Sequence, residues 1–302
     1  MRQVWIPRHG PPEVLEVREA PLPEPGPGEV RVRVAAIGVN FADAVGRLGR
    51  NLDAPRPPYV PGYEVAGTVE ALGEGVESLA VGARVMTLLR GGGYGEAVIA
   101  PVAQILPLPD SLSWEQGAAF PVAYLTAYCA LVAQARIRQG ERVLIQAAAG
   151  GLGLAAVQIA RQFGATIYGT ASAAKHDALR AQGVQPLDYR RRDFEQEIRA
   201  LTGGAGVNIA FDSIGGRSWV KSYRALAPLG RLVIVGATAL TQGPRRSIWA
   251  LLRFSVTTPW LAFNPVRLTS DNKGVLGVNM AHLWDERDAL RAWADQLLAW
   301  VG

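Results

Sequence analysis

Arg142-Val143-Leu144-Ile145-Gln146-Ala147-Ala148-Ala149-Gly150-Gly151-Leu152-Gly153 is the stretch on which the fold turns. It opens as a short apolar run, the pattern of a strand buried on both faces. It then passes through small residues into an apolar helix pattern over 151–163. The spacing Ala147-x-x-Gly150-x-x-Gly153 is weak evidence alone and gains specificity from its place between strand and helix. Small residues let the backbone approach a pyrophosphate, and Gly153 lets the helix pack close to the strand. The helix N-terminus turns free N–H groups and the positive end of its dipole toward phosphate. Ala149, Gly150, Gly151, Leu152 and Gly153 are therefore expected to cradle a dinucleotide. A ligand-free β–α turn is the competing reading, and the alternation that follows weighs against it.

Downstream, strand patterns at 166–170, 207–212, 231–236 and 275–278 alternate with helix patterns at 175–182, 193–201 and 219–226. This implies a doubly wound parallel sheet with right-handed crossovers. An NAD-specific site carries an acid about 20 residues past the loop, to hold the ribose 2′-hydroxyl. Here Thr170-Ala171-Ser172-Ala173-Ala174-Lys175 stands instead. Ser172 and Lys175 can donate to a 2′-phosphate, with Tyr189 and Arg190 closing the pocket from the next loop, so NADPH is expected over NADH. Lys175 and Arg190 also read as ordinary surface cations. Ser213 and Gly236-Ala237-Thr238 end later strands, where such sheets bind ligands.

Upstream the character changes. Up to about residue 122, strand patterns at 29–34, 63–72, 82–88, 97–100 and 104–107 are separated by turn signals, which predicts a β-rich domain. The length of 302 residues suits two domains at roughly 100–200 residues each. Hydrophobic residues at 49% and charged residues at 19% exclude a disordered chain. No apolar stretch reaches the ~20 residues of a membrane span, and Met1-Arg2-Gln3-Val4-Trp5-Ile6-Pro7 holds no signal-peptide apolar region. The single cysteine, Cys129, excludes an internal disulfide and a cysteine-cluster zinc site, and His9, His176 and His282 are scattered. A metal-free, cytoplasmic protein is expected. The net charge is +5, but the densest basic run, Arg190-Arg191-Arg192, is followed by Asp193, Glu195 and Glu197. A solvated helix start explains it, and no nucleic-acid partner is expected.

Val39-Asn40-Phe41-Ala42-Asp43, Pro61-Gly62-Tyr63-Glu64-Val65-Ala66-Gly67, Leu125-Thr126-Ala127-Tyr128, the glycine loop and Phe211-Asp212-Ser213-Ile214-Gly215 follow one another along the chain. Together they resemble the medium-chain dehydrogenase/reductase superfamily, in its zinc-independent, zeta-crystallin-like quinone oxidoreductase branch. Asp271-Asn272-Lys273-Gly274-Val275-Leu276-Gly277-Val278-Asn279 further resembles the vesicle amine transport protein subgroup. The resemblance spans essentially the whole chain. It implies an α/β protein with a GroES-like β-rich catalytic domain, 1–122 with 281–302 as a shortened return segment. A Rossmann NADP-binding domain, 123–280, completes it, with nicotinamide bound between the two. Relatives are commonly homodimers through edge-to-edge extension of the Rossmann sheet, which makes 275–278 the expected edge strand.

Zinc-dependent relatives carry Gly-His-Glu where this chain has Gly62-Tyr63-Glu64. They also use a Cys ligand and often a four-Cys lobe, neither of which this sequence supplies. Without a Lewis acid to polarise an alcohol, the expected reaction is hydride transfer from NADPH to an electron-poor small molecule, a quinone or an α,β-unsaturated carbonyl. By resemblance, Asn40 and Asp43 line the nicotinamide end. The Asn40 amide can hydrogen-bond a carboxamide or a substrate carbonyl without titrating, and it also reads as a helix cap. Asp43 reads as structural or as a proton donor, Tyr63 as a proton donor, and Glu64 as structural. Thr126 is expected beside the nicotinamide ribose or simply at a helix start. Gly277, Val278 and Asn279 complete the cofactor set. The alternative is a catalytically weak NADP-binding or partner-binding protein on the same fold.

Two departures from the resemblance stand out. Relatives often carry Gly-x-Tyr-Pro where this chain has Gly49-Arg50-Asn51-Leu52-Asp53, so an orienting tyrosine is lost unless Tyr59 replaces it. Relatives also continue for some tens of residues past the amphipathic helix expected over 287–301. A fragment or a natural variant, with exposed apolar surface near the catalytic domain's C-terminal edge or an altered cover for it, is the expectation. The aromatic stretch 249–263, with Trp249, Phe254, Trp260 and Phe263, reads as a pocket roof, a subunit contact or core.

Overall fold

The computed structural model describes residues 1–51, 53–238 and 263–301. The chain divides into two units, Met1–Leu125 with Met280–Gly302, and Thr126–Asn279. Trp249, Phe254 and Trp260 lie outside the described residues.

The first unit begins with β1 (Arg2–Trp5), paired antiparallel to β2 (Glu16–Glu19). Valine alternating with arginine then builds β3 (Glu29–Ile37), whose Val30 and Val32 are fully buried. Helix α1 (Phe41–Arg47) is followed by β4 (Glu64–Leu72), β5 (Arg84–Leu88), β6 (Ala97–Pro101) and β7 (Ile105–Pro107). These strands form a five-stranded antiparallel sheet in the order β6-β3-β4-β5-β7, the GroES-like architecture. Strand β3 runs three residues past its predicted end at Val34, through a register shift between Val34 and Ala36. Such an irregularity bends a strand and re-aims its side chains. Val65, Val69, Val85, Val98 and Ile105 fill the core. Helices α2 (Trp114–Ala118) and α3 (Pro121–Tyr128) follow. Helix Arg287–Ala299 belongs to this unit and buries Ala294 and Leu297.

The second unit is the doubly wound sheet. Its strands are β8 (Arg142–Ile145), β9 (Thr166–Ala171), β10 (Val184–Asp188), β11 (Val207–Asp212), β12 (Leu226–Ile234) and β13 (Gly274–Gly277). The crossovers are α4 (Gly151–Gln162), α5 (His176–Ala181), α6 (Phe194–Leu201) and α7 (Arg217–Arg224). All pairings are parallel and the order is β10-β9-β8-β11-β12-β13, the Rossmann arrangement. Central β8 buries Val143, Leu144 and Ile145 completely, each side chain contributing about 1.5–3 kcal/mol.

Two elements depart from the periodic reading. Strand β10 contains Pro186, which argues against a central strand; it lies at the sheet edge, where a missing N–H is tolerated. Strand β12 starts at Leu226 rather than at 231, passing through Leu229 at φ 63°. The expected helix over 219–226 accordingly sits at Arg217–Arg224. The Phe263 ring meets the Tyr223 ring edge-on at 5.5 Å and packs against the core.

Candidate functional site

The glycine loop leaves β8 at Gln146 and enters α4 at Gly151. Ala147 takes a left-handed φ of 51°, unusual for a residue with a side chain. The intrahelical ladder opens with Leu154 N–H on the Gly150 carbonyl at 2.8 Å. The amides of Gly151, Leu152 and Gly153 precede it, and these are donors a helix leaves over. A Cβ on Gly153 would collide with the Ala147 carbonyl oxygen, so this glycine sets how closely α4 packs on the loop. A Cβ on Gly151 would meet nothing within 4 Å, which leaves room on that side of the N-terminus. Open space beside unused amides fits the pyrophosphate of a dinucleotide.

The residues expected at a 2′-phosphate gather at the ends of β9 and β10. Asp188 pairs with Ala171, which brings the loop after each strand together. Ser172 caps the short turn Ala173–Lys175 with extended backbone, and the Lys175 ammonium lies 3.5 Å from the Ala149 carbonyl. Tyr189 is 51% exposed. Arg190 Nε donates to its hydroxyl at 3.3 Å, and the guanidinium lies 5.7 Å from the ring centre. Further along the C-terminal edge, Thr238 N–H donates to the Ser213 carbonyl at 3.1 Å, joining the loops that carry Ser213 and Gly236-Ala237-Thr238. Val278 N–H donates to the Ile234 carbonyl at 2.9 Å, so Gly277 ends β13 opposite Ile234 and Val278 and Asn279 follow just past the strand ends. Buried Thr126 opens this unit, within α3.

In the first unit a second polar set converges on Asp43 and Glu64, 6% and 2% exposed. Asn40 stands at the N-cap of α1, and its backbone N–H donates to Asp43 Oδ2 at 2.8 Å. Asp43 Oδ2 also accepts the Tyr94 hydroxyl at 3.2 Å, and Oδ1 accepts Gly62 N–H at 3.1 Å. Gly62 has φ 106°, where a side chain would strike Tyr94 and Gly93. Asn40 Nδ2 donates to Glu64 Oε1 at 2.8 Å, and Glu64 Oε2 accepts Val122 N–H at 2.7 Å. Burial pushes the Glu64 carboxyl up to about 7 against these two bonds, with Asp43 adding to the rise. Burial also raises Asp43, opposed by its three donors. Burial, with the nearby Asp43 charge, pushes Tyr63 up to about 12. Its hydroxyl oxygen accepts Asn51 Nδ2 at 3.4 Å.

Buried polar side chains that the sequence reading did not single out lie beneath the glycine loop: Gln146, Thr170 and Ser222, together with Asp212. The available signal was a glutamine ending a strand buried on both faces, since a buried amide requires partners. Among the described residues no group of three or more His, Cys, Asp or Glu could hold a metal ion. No helix among them is long and apolar enough to cross a membrane.

The chain matches the family described as alcohol dehydrogenase GroES-like domain over residues 26–110, and zinc-binding dehydrogenase over 151–295. It is 40% identical over 289 residues to the synaptic vesicle membrane protein VAT-1 homolog of Rattus norvegicus, spanning 94% of this chain and 70% of that protein. Among solved structures it is similar to Escherichia coli quinone oxidoreductase complexed with NADPH, with a TM-score of 0.84 at 29% identity over 99% of this chain and 87% of that one. It is similar too to CurK enoyl reductase, with a TM-score of 0.81 at 30% identity over 99% of this chain and 86% of that one.

Proposed function

The chain belongs to the quinone oxidoreductase branch of the medium-chain dehydrogenase/reductase superfamily, close to the VAT-1 homologues, and on that premise we propose that it is an NADPH-dependent reductase of quinones or α,β-unsaturated carbonyls. One observation carries the cofactor reading: the free amides of Gly151, Leu152 and Gly153 beside open space, with Lys175 reaching the same loop through Ala149. When bound, NADPH supplies the hydride. The loop amides hold its pyrophosphate, and Ser172, Lys175 and Tyr189 hold the 2′-phosphate. Thr126, Ser213, Gly236, Ala237, Thr238, Gly277, Val278 and Asn279 take the rest of the nucleotide.

Asn40 orients the nicotinamide carboxamide or the acceptor carbonyl through the amide that Glu64 fixes. Asp43 serves by holding the turn before α1 and the backbone at Gly62. Tyr63, pushed up to about 12, keeps its proton at neutral pH and is a slow acid, so solvent supplies the final proton. With Tyr63 standing where a zinc-binding histidine would be, orientation and electrostatics are the protein's main contributions. The test is NADPH oxidation with 1,2-naphthoquinone and with 2-alkenals. Turnover with neither class overturns the assignment. The likeness to a vesicle membrane protein favours one second reading, a partner-binding protein that binds NADPH without turnover. We further infer a homodimer through edge strand β13, which size-exclusion chromatography of Val275→Lys against wild type tests.

A further inference from the structure

Beneath the glycine loop, four buried side chains form one continuous hydrogen-bonded line. Ala147 N–H donates to Thr170 Oγ1 at 3.0 Å, and the Thr170 hydroxyl donates to Gln146 Oε1 at 2.8 Å. Gln146 Nε2 donates to Ser222 Oγ at 3.2 Å, and the Ser222 hydroxyl donates to Asp212 Oδ2 at 2.7 Å. Thr170, Gln146, Ser222 and Asp212 are all 3% exposed or less. The direction of the line is determined. Asp212 Oδ2 accepts the hydroxyls of both Ser218 and Ser222 at 2.7 Å while Oδ1 takes two main-chain N–H groups, so Ser222 turns its single proton toward the carboxylate. The Ser222 oxygen is then left to accept the Gln146 amide, whose own oxygen faces Thr170. Thr170 gives its proton to that oxygen and keeps its lone pairs for Ala147. Asp212 Oδ1 accepts Ile214 N–H at 2.8 Å and Gly215 N–H at 3.4 Å. The line therefore starts at the left-handed Ala147 of one candidate cofactor loop and ends at the turn that carries Ser213.

We propose that Thr170, Gln146 and Ser222 are positioning residues that lock the glycine loop and the Asp212–Gly215 turn into one preformed frame. The coupling stands on geometry alone; only the identity of the ligand rests on the NADPH reading. A line of bonds with one allowed direction transmits a break at either end, because reversing one member leaves two buried donors or two buried acceptors facing each other.

The experiment uses the full chain, free and with NADPH. Thr170→Val keeps the shape and removes the acceptor for Ala147 together with the donor to Gln146. Hydrogen exchange in the free protein should rise about tenfold at Ala147 and also at Ile214 and Gly215, whose acceptor is untouched, as expected when a buried bond is lost. The Kd for NADPH should rise by about tenfold, and Thr170→Ser should restore both. Ser222→Ala enters the line from the other end and should loosen Ala147, which covers the case of a poorly folded first variant. Exchange that rises at Ala147 alone, with Ile214 and Gly215 unchanged, overturns the coupling whatever the ligand. If wild type fails to bind NADPH, the cofactor reading fails while the exchange result still decides the coupling.

Discussion

Asn40 and Glu64 are joined side chain to side chain, Nδ2 to Oε1 at 2.8 Å. The other carboxylate oxygen takes Val122 N–H at 2.7 Å, so one buried group ties the cap of α1, the start of β4 and the start of α3. The amide of Asn40 faces Glu64 nitrogen first, donating from Nδ2 to Oε1. That leaves Asn40 one further N–H to offer elsewhere.

Glu64 makes stability depend on pH in a stated direction. Its folded value of about 7 lies above the ordinary 4.5, so ionisation works against the fold. The penalty is absent below about pH 4.5, grows up to about pH 7 and is constant above it. Glu64→Gln does not titrate and carries a fixed cost, since one of its two donors loses its acceptor. The stability of wild type relative to Glu64→Gln should therefore fall by roughly 3 kcal/mol between pH 4.5 and 7. Thermal melts of both proteins across this range check it, and a flat difference would refute it.

Glycines 151 and 153 should answer differently to the same added methyl. Gly153→Ala drives a Cβ into the Ala147 carbonyl and within 2.7 Å of Ala148 Cα, which should cost about 1–3 kcal/mol and loosen α4 from the loop. Gly151→Ala meets no protein atom within 4 Å, so its stability should match or exceed wild type. On the proposed cofactor site, a methyl there should crowd the pyrophosphate. Urea unfolding combined with NADPH titration separates the two: Gly153→Ala loses stability and binding, Gly151→Ala binding only.

Lys175→Ala should weaken NADPH binding by about tenfold, the loss of one charge-assisted contact, and leave NADH binding nearly unchanged. Calorimetric titration with both nucleotides measures the ratio. An unchanged preference removes Lys175 from the 2′-phosphate site.

Asp43→Asn should destabilise by about 1–3 kcal/mol. Three donors converge on this carboxylate, from Asn40, Gly62 and Tyr94, and a carboxamide has a single acceptor oxygen. Whichever way it turns, a donor faces a donor. Tyr94→Phe removes one donor and leaves two satisfied, so its urea midpoint should lie between wild type and Asp43→Asn.

The parallel unit was the most legible part of the chain. The run ending at Ile145, the loop to Gly153 and the helix after it lie where periodicity and small residues place them. Strand β10 escaped because Pro186 argues against a strand unless its edge position is known, and edge position is a property of the assembled sheet. The start of β12 escaped because Leu226 and Ala227 read equally well as the end of a helix.

The sequence by itself determined the two architectures and pointed to the residues proposed to meet a dinucleotide, because strand alternation, helix period and a glycine loop are written in neighbouring residues. Only the tertiary structure decided which polar groups satisfy one another. Asn40 meets Glu64 across 24 positions, Val122 meets Glu64 across 58, and Gln146 meets Ser222 across 76. Such contacts depend on strand register and crossover packing, which bring distant residues within 3.2 Å in an interior where an unpaired polar group would be costly.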